Sequence, residues 1–297
     1  MYPAPFNYHR AHSVDEAVAM LSQIGEGARV LAGGQSLLPI LKLRFDEPTD
    51  LVDIGRIPGL DRVDDSGDEV TIGALVTHRR IAASPLATAI PVIGDCANGI
   101  ADNQVRTRGT IGGSVSSGDP NCDWPALLHT LDARIVTRGP GGSRTLDING
   151  FVEDLYQTIL QPGEIVTAIR LRKPGAASGG AYCGFKRCSP AYPTVSIGVQ
   201  LTLKGSKVAA ARVAAGSVGF VPTRLGEVEA VLQGQAVDAA CIERAAEAAA
   251  AAVNPLEDTR GTADFKRRVT AAMTAKAIGI ALRRANGETV KNKHEYY

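Results

Sequence analysis

Two short runs of glycine and polar residues are the parts of this sequence best suited to hold a ligand. The first run is Ala32, Gly33, Gly34, Gln35 and Ser36, and the second is Thr110, Ile111, Gly112, Gly113 and Ser114. Glycine lets the backbone come very close to another molecule because it has no Cβ. Adjacent backbone N–H groups form anion-binding concavities, to which Ser and Thr add donors. The two runs together favour a diphosphate held from two sides.

The common motifs for nucleotide binding and for nucleophilic catalysis are absent from the sequence. We find no Gly-x-Gly-x-x-Gly fingerprint, no Walker A loop and no Gly-x-Ser-x-Gly elbow. Carboxylates such as Asp46, Asp61 and Asp64 stand in polar, turn-like surroundings, where solvation explains them. The residues therefore indicate ligand binding rather than proton transfer, and we predict no catalytic residue.

The cysteines are too widely spaced for most metal centres. They are Cys96, Cys122, Cys183, Cys188 and Cys241, with no Cys-x-x-Cys pair. Iron–sulfur clusters and structural zinc sites need closely spaced thiolates, and an odd count argues against a disulfide framework. The five histidines show no metal-ligand spacing either. We therefore expect free thiols and no metal ion held by this chain.

Length and composition favour a two-domain protein without a nucleic-acid or membrane footprint. The chain has 297 residues and a formal net charge of +1, which gives no polybasic surface. No apolar run approaches the length of a transmembrane helix. Residues 1–6 lack the basic and apolar segments of a secretory signal. We expect a soluble, cytoplasmic protein that binds no nucleic acid.

The first 54 residues predict a small, partly parallel sheet. Ser13 and Glu16 form a capping box before apolar residues at helical spacing up to Gly25. Residues 29–32 and 51–54 are predicted strands. Residues 37–41, which directly follow the first glycine run, are predicted to form an apolar turn or a short helix.

Residues 55–174 predict a second subdomain of strands and helices. The predicted strands are residues 70–73, 133–137 and 165–171, and the predicted helices are residues 78–83, with Thr77 as N-cap, 91–98 and 126–131. Residues 174–180 are rich in glycine and alanine and are the best domain boundary. Residues 1–174 are therefore expected to form one domain with subdomains 1–54 and 55–174.

Residues 178–290 predict a C-terminal domain made of a sheet and a helical layer. Residues 195–203 and 208–217 form a predicted hairpin, followed by predicted helices at residues 223–232, 239–252 and 264–284. The last helix is expected to place an apolar stripe on one side, formed by Phe265, Val269, Ala272, Met273 and Ile280. Residues 291–297 are expected to form a frayed tail. The fold class is α+β.

The two glycine runs, with their flanks, resemble the FAD diphosphate loops of molybdenum hydroxylase flavoprotein subunits. These are the medium chains of the xanthine dehydrogenase and aerobic carbon monoxide dehydrogenase family. The resemblance covers nearly the whole chain and rests on residues 31–39, 108–114, 6–10, 50–54, 72–74 and 162–165. It implies a vanillyl-alcohol-oxidase (PCMH)-type FAD-binding domain with two α/β subdomains, followed by a C-terminal antiparallel sheet with a helical layer.

The resemblance also implies which residues contact FAD, without a covalent bond. Both glycine runs would clasp the diphosphate, and Asp123 would bind ribose or ribityl hydroxyls, since a carboxylate accepts two hydrogen bonds. From the residues alone, Asp123 could instead cap the helix that begins near Trp124. Ile100 falls in the strip that flanks the adenine side in the family.

The stretch around Lys186 and Tyr192 resembles the family segment near the flavin ring. Lys186 would stabilise the anionic reduced flavin, and Tyr192 would stack over the ring. Ala191 stands where many members have Asp just before the tyrosine. This departure leaves the redox tuning of the flavin, and any reaction with a nicotinamide, open.

The role implied by the resemblance is that of the FAD-carrying electron-transfer subunit of a heterotrimeric molybdenum hydroxylase. The molybdenum cofactor would lie on a large partner subunit and [2Fe-2S] clusters on a small one, in a dimer of heterotrimers. Carbon monoxide is the leading substrate of the complex, because the context of Tyr192 and the N-terminal segment both favour that branch.

Several alternatives are open from the sequence. The complex could be a xanthine or N-heterocycle dehydrogenase, and the chain could be a standalone FAD-dependent oxidase or a scaffold that has lost its flavin. The electron acceptor could be a quinone, NAD or oxygen. A quinone-linked acceptor would imply peripheral contact with a membrane.

Overall fold

The first subdomain is a three-stranded parallel sheet covered by one helix. The structure is a computed structural model that describes residues 2–296. The elements are β1 (Asn7–Arg10), α1 (Val14–Ile24), β2 (Ala28–Leu31), α2 (Leu37–Leu43) and β3 (Asp50–Asp53). The strand order is β1-β3-β2, and both pairs are parallel. The Ser13 side chain accepts a hydrogen bond from the Glu16 N–H, as the capping box predicts.

The second subdomain is a five-stranded antiparallel sheet with six short helices. Two strands of the sheet precede the helices in sequence, and three follow them. Its first elements are β4 (Val63–Asp64), β5 (Glu69–Gly73), α3 (His78–Ala82), α4 (Pro85–Ala89), α5 (Pro91–Gly99), α6 (Asn103–Arg108), α7 (Ile111–Ser116) and α8 (Asp123–Thr130). They are followed by β6 (Arg134–Gly139), β7 (Gly142–Asp147), β8 (Val152–Asp154), β9 (Gln157–Thr158) and β10 (Ile165–Arg172). The sheet has the order β4-β5-β10-β6-β7, and β8 pairs with β9.

The C-terminal domain is a five-stranded sheet with helices packed on it. Its elements are β11 (Ser178–Lys186), β12 (Val195–Lys204), β13 (Lys207–Gly216), β14 (Thr223–Arg224), α9 (Gly226–Leu232), α10 (Ala239–Ala252), α11 (Ala263–Ala285) and β15 (Glu295–Tyr296). The order is β14-β13-β12-β11-β15, antiparallel except for the pair of β11 and β15. The predicted hairpin is β12 and β13, and the predicted helix over residues 239–252 is α10.

Strand β11 joins the two domains because its side chains alternate between two cores. Ala181 and Cys183 are buried in the core of the C-terminal domain, whereas Tyr182 is buried in the core of the second subdomain. Lys186 follows Tyr182 at even spacing and lies on the same face. This face of β11 packs on α5, so it faces the elements that precede the second glycine run.

The structure corrects three local predictions. Residues 178–180, predicted as linker, begin β11; a Cβ on Gly179 would overlap the Ala281 carbonyl oxygen, so these glycines allow close packing rather than flexibility. Residues 223–224 form β14, and α9 begins at Gly226. Ala272 is exposed and does not belong to the buried side of α11.

The end of the chain also differs from the predicted frayed tail. Residues 290–296 return along the C-terminal domain, where Asn292 Nδ2 donates to the Tyr182 carbonyl at 2.8 Å and β15 pairs with Phe185 and Lys186. Local composition gave no sign of this packing, because the contacts come from residues more than 100 positions away. Tyr297 lies outside the described residues.

Candidate functional site

The first glycine run lies in direct contact with Arg108 and Gly109, the two residues that directly precede the second run. A Cβ on Gly33 would overlap the carbonyl oxygen of Arg108 and come within 2.9 Å of the Gly109 Cα. Only a residue without a side chain therefore fits at position 33 with this backbone. The structure thus brings together the two runs that the sequence analysis singled out.

The first run offers open backbone donors. Among the described residues, no acceptor takes a hydrogen bond from the N–H groups of Gly33, Gly34, Gln35 or Ser36. All four residues are only half-buried, so these groups are accessible. Gly34 has a φ of +73°, a left-handed conformation that glycine adopts at no steric cost. Successive free N–H groups at such a turn form a concavity suited to an anion.

The second run does not offer the same donors, and the prediction of open N–H groups there is wrong. The N–H groups of Ile111 and Gly112 donate to the Val76 and Ala74 carbonyl oxygens at 3.1 and 2.9 Å. Gly113 donates to Thr110 Oγ1 at 3.1 Å. The reason is that Thr110 caps α7, so residues 111–114 form its first turn. Gly113 remains exposed and Ser114 half-exposed, and their contact with a ligand remains a prediction.

A buried histidine holds the second run in place. The backbone N–H of His78 donates to the Gly109 carbonyl oxygen at 3.0 Å. The Nδ1 atom of the His78 ring accepts a hydrogen bond from Trp124 Nε1 at 3.0 Å. Burial lowers the pKa of His78 to about 4, so the ring is neutral near pH 7 and can accept this hydrogen bond. The sequence analysis missed His78, whose only local signal is the Thr77 cap before it.

Tyr192 lies in the connection between β11 and β12. Ser36 and Asp119 lie near its hydroxyl. Burial, with Cys122 and Asp119 nearby, raises the pKa of the Tyr192 hydroxyl well above its ordinary value. The residue as a whole is nevertheless 44% exposed. Asp119 was not among the predicted site residues, although it lies in the same polar turn as Asp123.

Asp123 is buried at the first turn of α8. The Tyr182 hydroxyl donates to its Oδ1 at 3.1 Å, and burial raises the pKa of Tyr182 well above its ordinary value, which keeps it a donor. Asp123 is not the helix cap, because that position is Cys122. Its Oδ2 accepts no hydrogen bond from another described residue, so this atom could accept one from a ligand hydroxyl.

Lys186 contacts the residue that precedes Ile100. Lys186 is fully buried, and its Nζ donates to the Gly99 carbonyl oxygen at 2.6 Å. The Ile100 side chain is buried in the second-subdomain core, and its carbonyl oxygen accepts from Arg106 Nη1 at 2.6 Å. Lys186 therefore lies beside the Gly99–Ile100 segment, which the resemblance assigns to the adenine side, so its predicted place at the flavin ring remains a prediction.

The donor and acceptor set fits FAD. The free N–H groups at Gly33 to Ser36 suit a diphosphate, Asp123 Oδ2 suits a hydroxyl, and the partly exposed Tyr192 suits an aromatic system. The described residues contain no cluster of ligands that could hold a metal ion.

Comparison with known proteins identifies the family. Residues 4–174 match the FAD binding domain in molybdopterin dehydrogenase, and residues 180–281 match the CO dehydrogenase flavoprotein C-terminal domain. The chain belongs to this family. It is therefore an oxidoreductase chain of the FAD-binding type, which confirms the predicted family and fold class.

Individual relatives align over almost the whole chain. The carbon monoxide dehydrogenase medium chain of Hydrogenophaga pseudoflava is 39% identical over 95% of this chain and 98% of its own length. The crystal structure of carbon monoxide dehydrogenase from that organism contains a chain that superimposes with a TM-score of 0.93 at 40% identity, covering 96% of this chain and 99% of the other. Quinoline 2-oxidoreductase from Pseudomonas putida 86 contains a chain with a TM-score of 0.91 at 30% identity, covering 96% and 99%.

No described helix combines the length and the apolar character needed to cross a membrane.

Proposed function

We propose that this chain is the FAD-carrying electron-transfer subunit of a molybdenum hydroxylase complex that oxidises carbon monoxide. The observation that carries the proposal is the open first run, which lies against the residues that precede the second run, in a chain whose two domains both match the family. FAD, when bound, accepts and releases electrons singly or in pairs, which links one-electron clusters to a two-electron acceptor.

The chain's own residues bind and orient the cofactor. Free N–H groups of residues 33–36 would donate to the diphosphate, and Asp123 Oδ2 would accept from a ribityl or ribose hydroxyl. Lys186 would place a positive charge near the flavin ring, and the exposed Tyr192 ring would cover one side of it. The described residues include no acid–base pair arranged for substrate chemistry beside these groups, so substrate is oxidised elsewhere in the complex.

The proposed complex contains a large subunit with the molybdenum cofactor and a small subunit with [2Fe-2S] clusters, in the cytoplasm as a dimer of heterotrimers. The widely spaced cysteines of this chain support placing the iron–sulfur clusters on a partner subunit, since cluster ligands are closely spaced. The acceptor would be a quinone, NAD or oxygen, with peripheral membrane contact in the first case. Carbon monoxide is favoured over N-heterocycles because the carbon monoxide dehydrogenase chain superimposes at the higher identity, 40% against 30% for the quinoline enzyme's chain.

The experiment is to isolate the complex from its source and identify the co-purifying chains by mass spectrometry, together with iron, molybdenum and flavin content. The isolated complex is then mixed anaerobically with carbon monoxide, xanthine or quinoline while flavin absorbance is followed. We expect two partner chains and flavin bleaching by carbon monoxide. Bleaching by xanthine or quinoline, but not by carbon monoxide, would show that the complex is a xanthine or N-heterocycle dehydrogenase instead. Turnover of a substrate by this chain without partners would favour a standalone oxidase.

A further inference from the structure

The end of the chain packs against the strand that carries Lys186. The matched C-terminal family domain ends at residue 281, and α11 ends at Ala285. We call residues 289–296 the tail. Arg284 Nη2 and Nε donate to the Val290 carbonyl oxygen at 2.7 and 3.1 Å, and Asn292 Nδ2 donates to the Tyr182 carbonyl oxygen at 2.8 Å. Beyond them, β15 pairs in parallel with Phe185 and Lys186.

The His294 ring fills a slot between two glycines that lie on different domains. A Cβ on Gly99, at the end of α5, or on Gly184, in β11, would overlap the imidazole. The three atoms nearest to each of these Cβ positions all belong to His294. His294 is 8% exposed, and its Nε2 lies 3.2 Å from the Asp95 carbonyl oxygen. The missing side chains at positions 99 and 184 thus make room for this ring.

The same joint contains a buried ion pair. Arg284 Nη1 and Asp95 Oδ2 lie 2.6 Å apart, with both side chains 7% exposed. Asp95 Oδ2 also accepts from the Tyr182 N–H at 3.1 Å. The tail and this pair therefore fasten β11 to α5 at the position where Lys186 reaches the Gly99 carbonyl and Tyr182 reaches Asp123.

We infer that the tail, through His294, is a positioning element of the FAD site. This inference rests on the proposed function. With the His294 ring between Gly99 and Gly184, β11 stays packed on α5. Lys186 and Asp123 then keep the positions from which they would contact FAD. Without His294, the slot beside Lys186 admits water, and the joint between β11 and α5 keeps only the Arg284–Asp95 pair and the hydrogen bonds of Tyr182 and Lys186.

The test compares three variants of the full chain with a matched control. Two are His294→Ala and Gly184→Ala, the third is a chain that stops after Glu288, and the control is Lys291→Ala at an exposed tail position. Two quantities are measured: the rate at which FAD leaves, from the rise of flavin fluorescence, and the reduction potential of the bound flavin. We expect FAD to leave about tenfold faster in all three variants, the effect of one lost buried contact of ordinary strength. We also expect a lower potential, because the Lys186 charge becomes hydrated. The control should match the parent in both.

A double variant separates the tail from general damage. Because the atoms nearest the added Cβ belong to His294, Gly184→Ala should have no further effect in the chain that stops after Glu288. The inference is overturned if the shortened chain keeps the parent's FAD release rate and potential, or if Gly184→Ala acts equally with and without the tail. A parent chain that binds no FAD would instead overturn the proposed function, and with it this inference.

Discussion

The Tyr182 hydroxyl donates a hydrogen bond to Asp123 Oδ1 at 3.1 Å, across the boundary between the C-terminal domain and the second subdomain. Both residues are buried, and Tyr182 packs within the core of the other domain. The candidate site is therefore built by both domains, since the same strand that carries Tyr182 also carries Lys186.

The first prediction concerns this hydrogen bond. Tyr182→Phe keeps the packing of the ring but leaves Asp123 Oδ1 without its buried donor, which should lower the free energy of unfolding by about 1–3 kcal/mol and weaken FAD binding. Urea unfolding and flavin content after purification measure the two effects. Tyr8→Phe is the control, because it removes an exposed tyrosine–carboxylate bond, to Asp53, in the first subdomain. Equal losses in both variants would mean that the Tyr182–Asp123 bond has no special role.

The second prediction concerns the contact between the first glycine run and residues 108–109. Gly33→Ala places a Cβ against the Arg108 carbonyl, so the first run must move away from residues 108–109, and we expect the variant to lose both stability and FAD. Gly279→Ala in α11 is the matched control, because its Cβ meets nothing within 4 Å, and it should stabilise the helix by about 0.5–1 kcal/mol. A Gly33→Ala chain with full flavin content and parent stability would refute the contact.

The third prediction concerns the flavin ring. Lys186→Met keeps most of the buried stem but removes the charge, so FAD should stay bound with a lower reduction potential. Tyr192→Ala should also keep FAD and change its rate of reoxidation, because one ring contact contributes about 1 kcal/mol. A spectroelectrochemical titration and stopped-flow reoxidation measure these effects. Unchanged potential and rate in both variants would mean that the flavin ring faces other residues.

The fourth prediction concerns acid. Burial lowers the pKa of His78 to about 4, below its ordinary 6.5. Between these values the unfolded chain binds a proton that the folded chain does not, so the stabilisation is complete above pH 6.5 and is lost as the pH falls towards 4. His78 alone contributes a slope of up to about 1.4 kcal/mol per pH unit in this window. Buried His129 and His294, whose pKa values burial also lowers, act in the same direction.

Urea unfolding at pH 7, 6 and 5 measures this slope. It should be shallower in His78→Gln and unchanged in the exposed control His12→Gln. The same slope in the parent and in His78→Gln would show that His78 takes up its proton without unfolding.

Features that depend on neighbouring residues were predictable from the sequence. The cap at Ser13 and the helix Ala239–Ala252 follow from local signals, and both are present in the structure. The glycine runs were recognisable for the same reason. Strand β11 was missed because its glycines look like a linker until α11 and α5 are packed against them.

Features that depend on distant contacts were not predictable from local pattern. Nothing near Thr110 shows that its run begins a helix whose donors are already used by Ala74 and Val76. Likewise, the slot that the His294 ring fills lies between Gly99 and Gly184, which are far from His294 in sequence. Such relations appear only when the tertiary structure brings the segments together.

Ligand competition on the purified, flavin-free chain tests whether the first run binds the FAD diphosphate. If the N–H groups of residues 33–36 hold a diphosphate, FAD should bind much more tightly than riboflavin, and ADP should displace it. Titration followed by flavin fluorescence gives the three dissociation constants. We expect tight FAD binding, competition by ADP and weak binding of riboflavin. Equal affinity for riboflavin and FAD, or no competition by ADP, would contradict it.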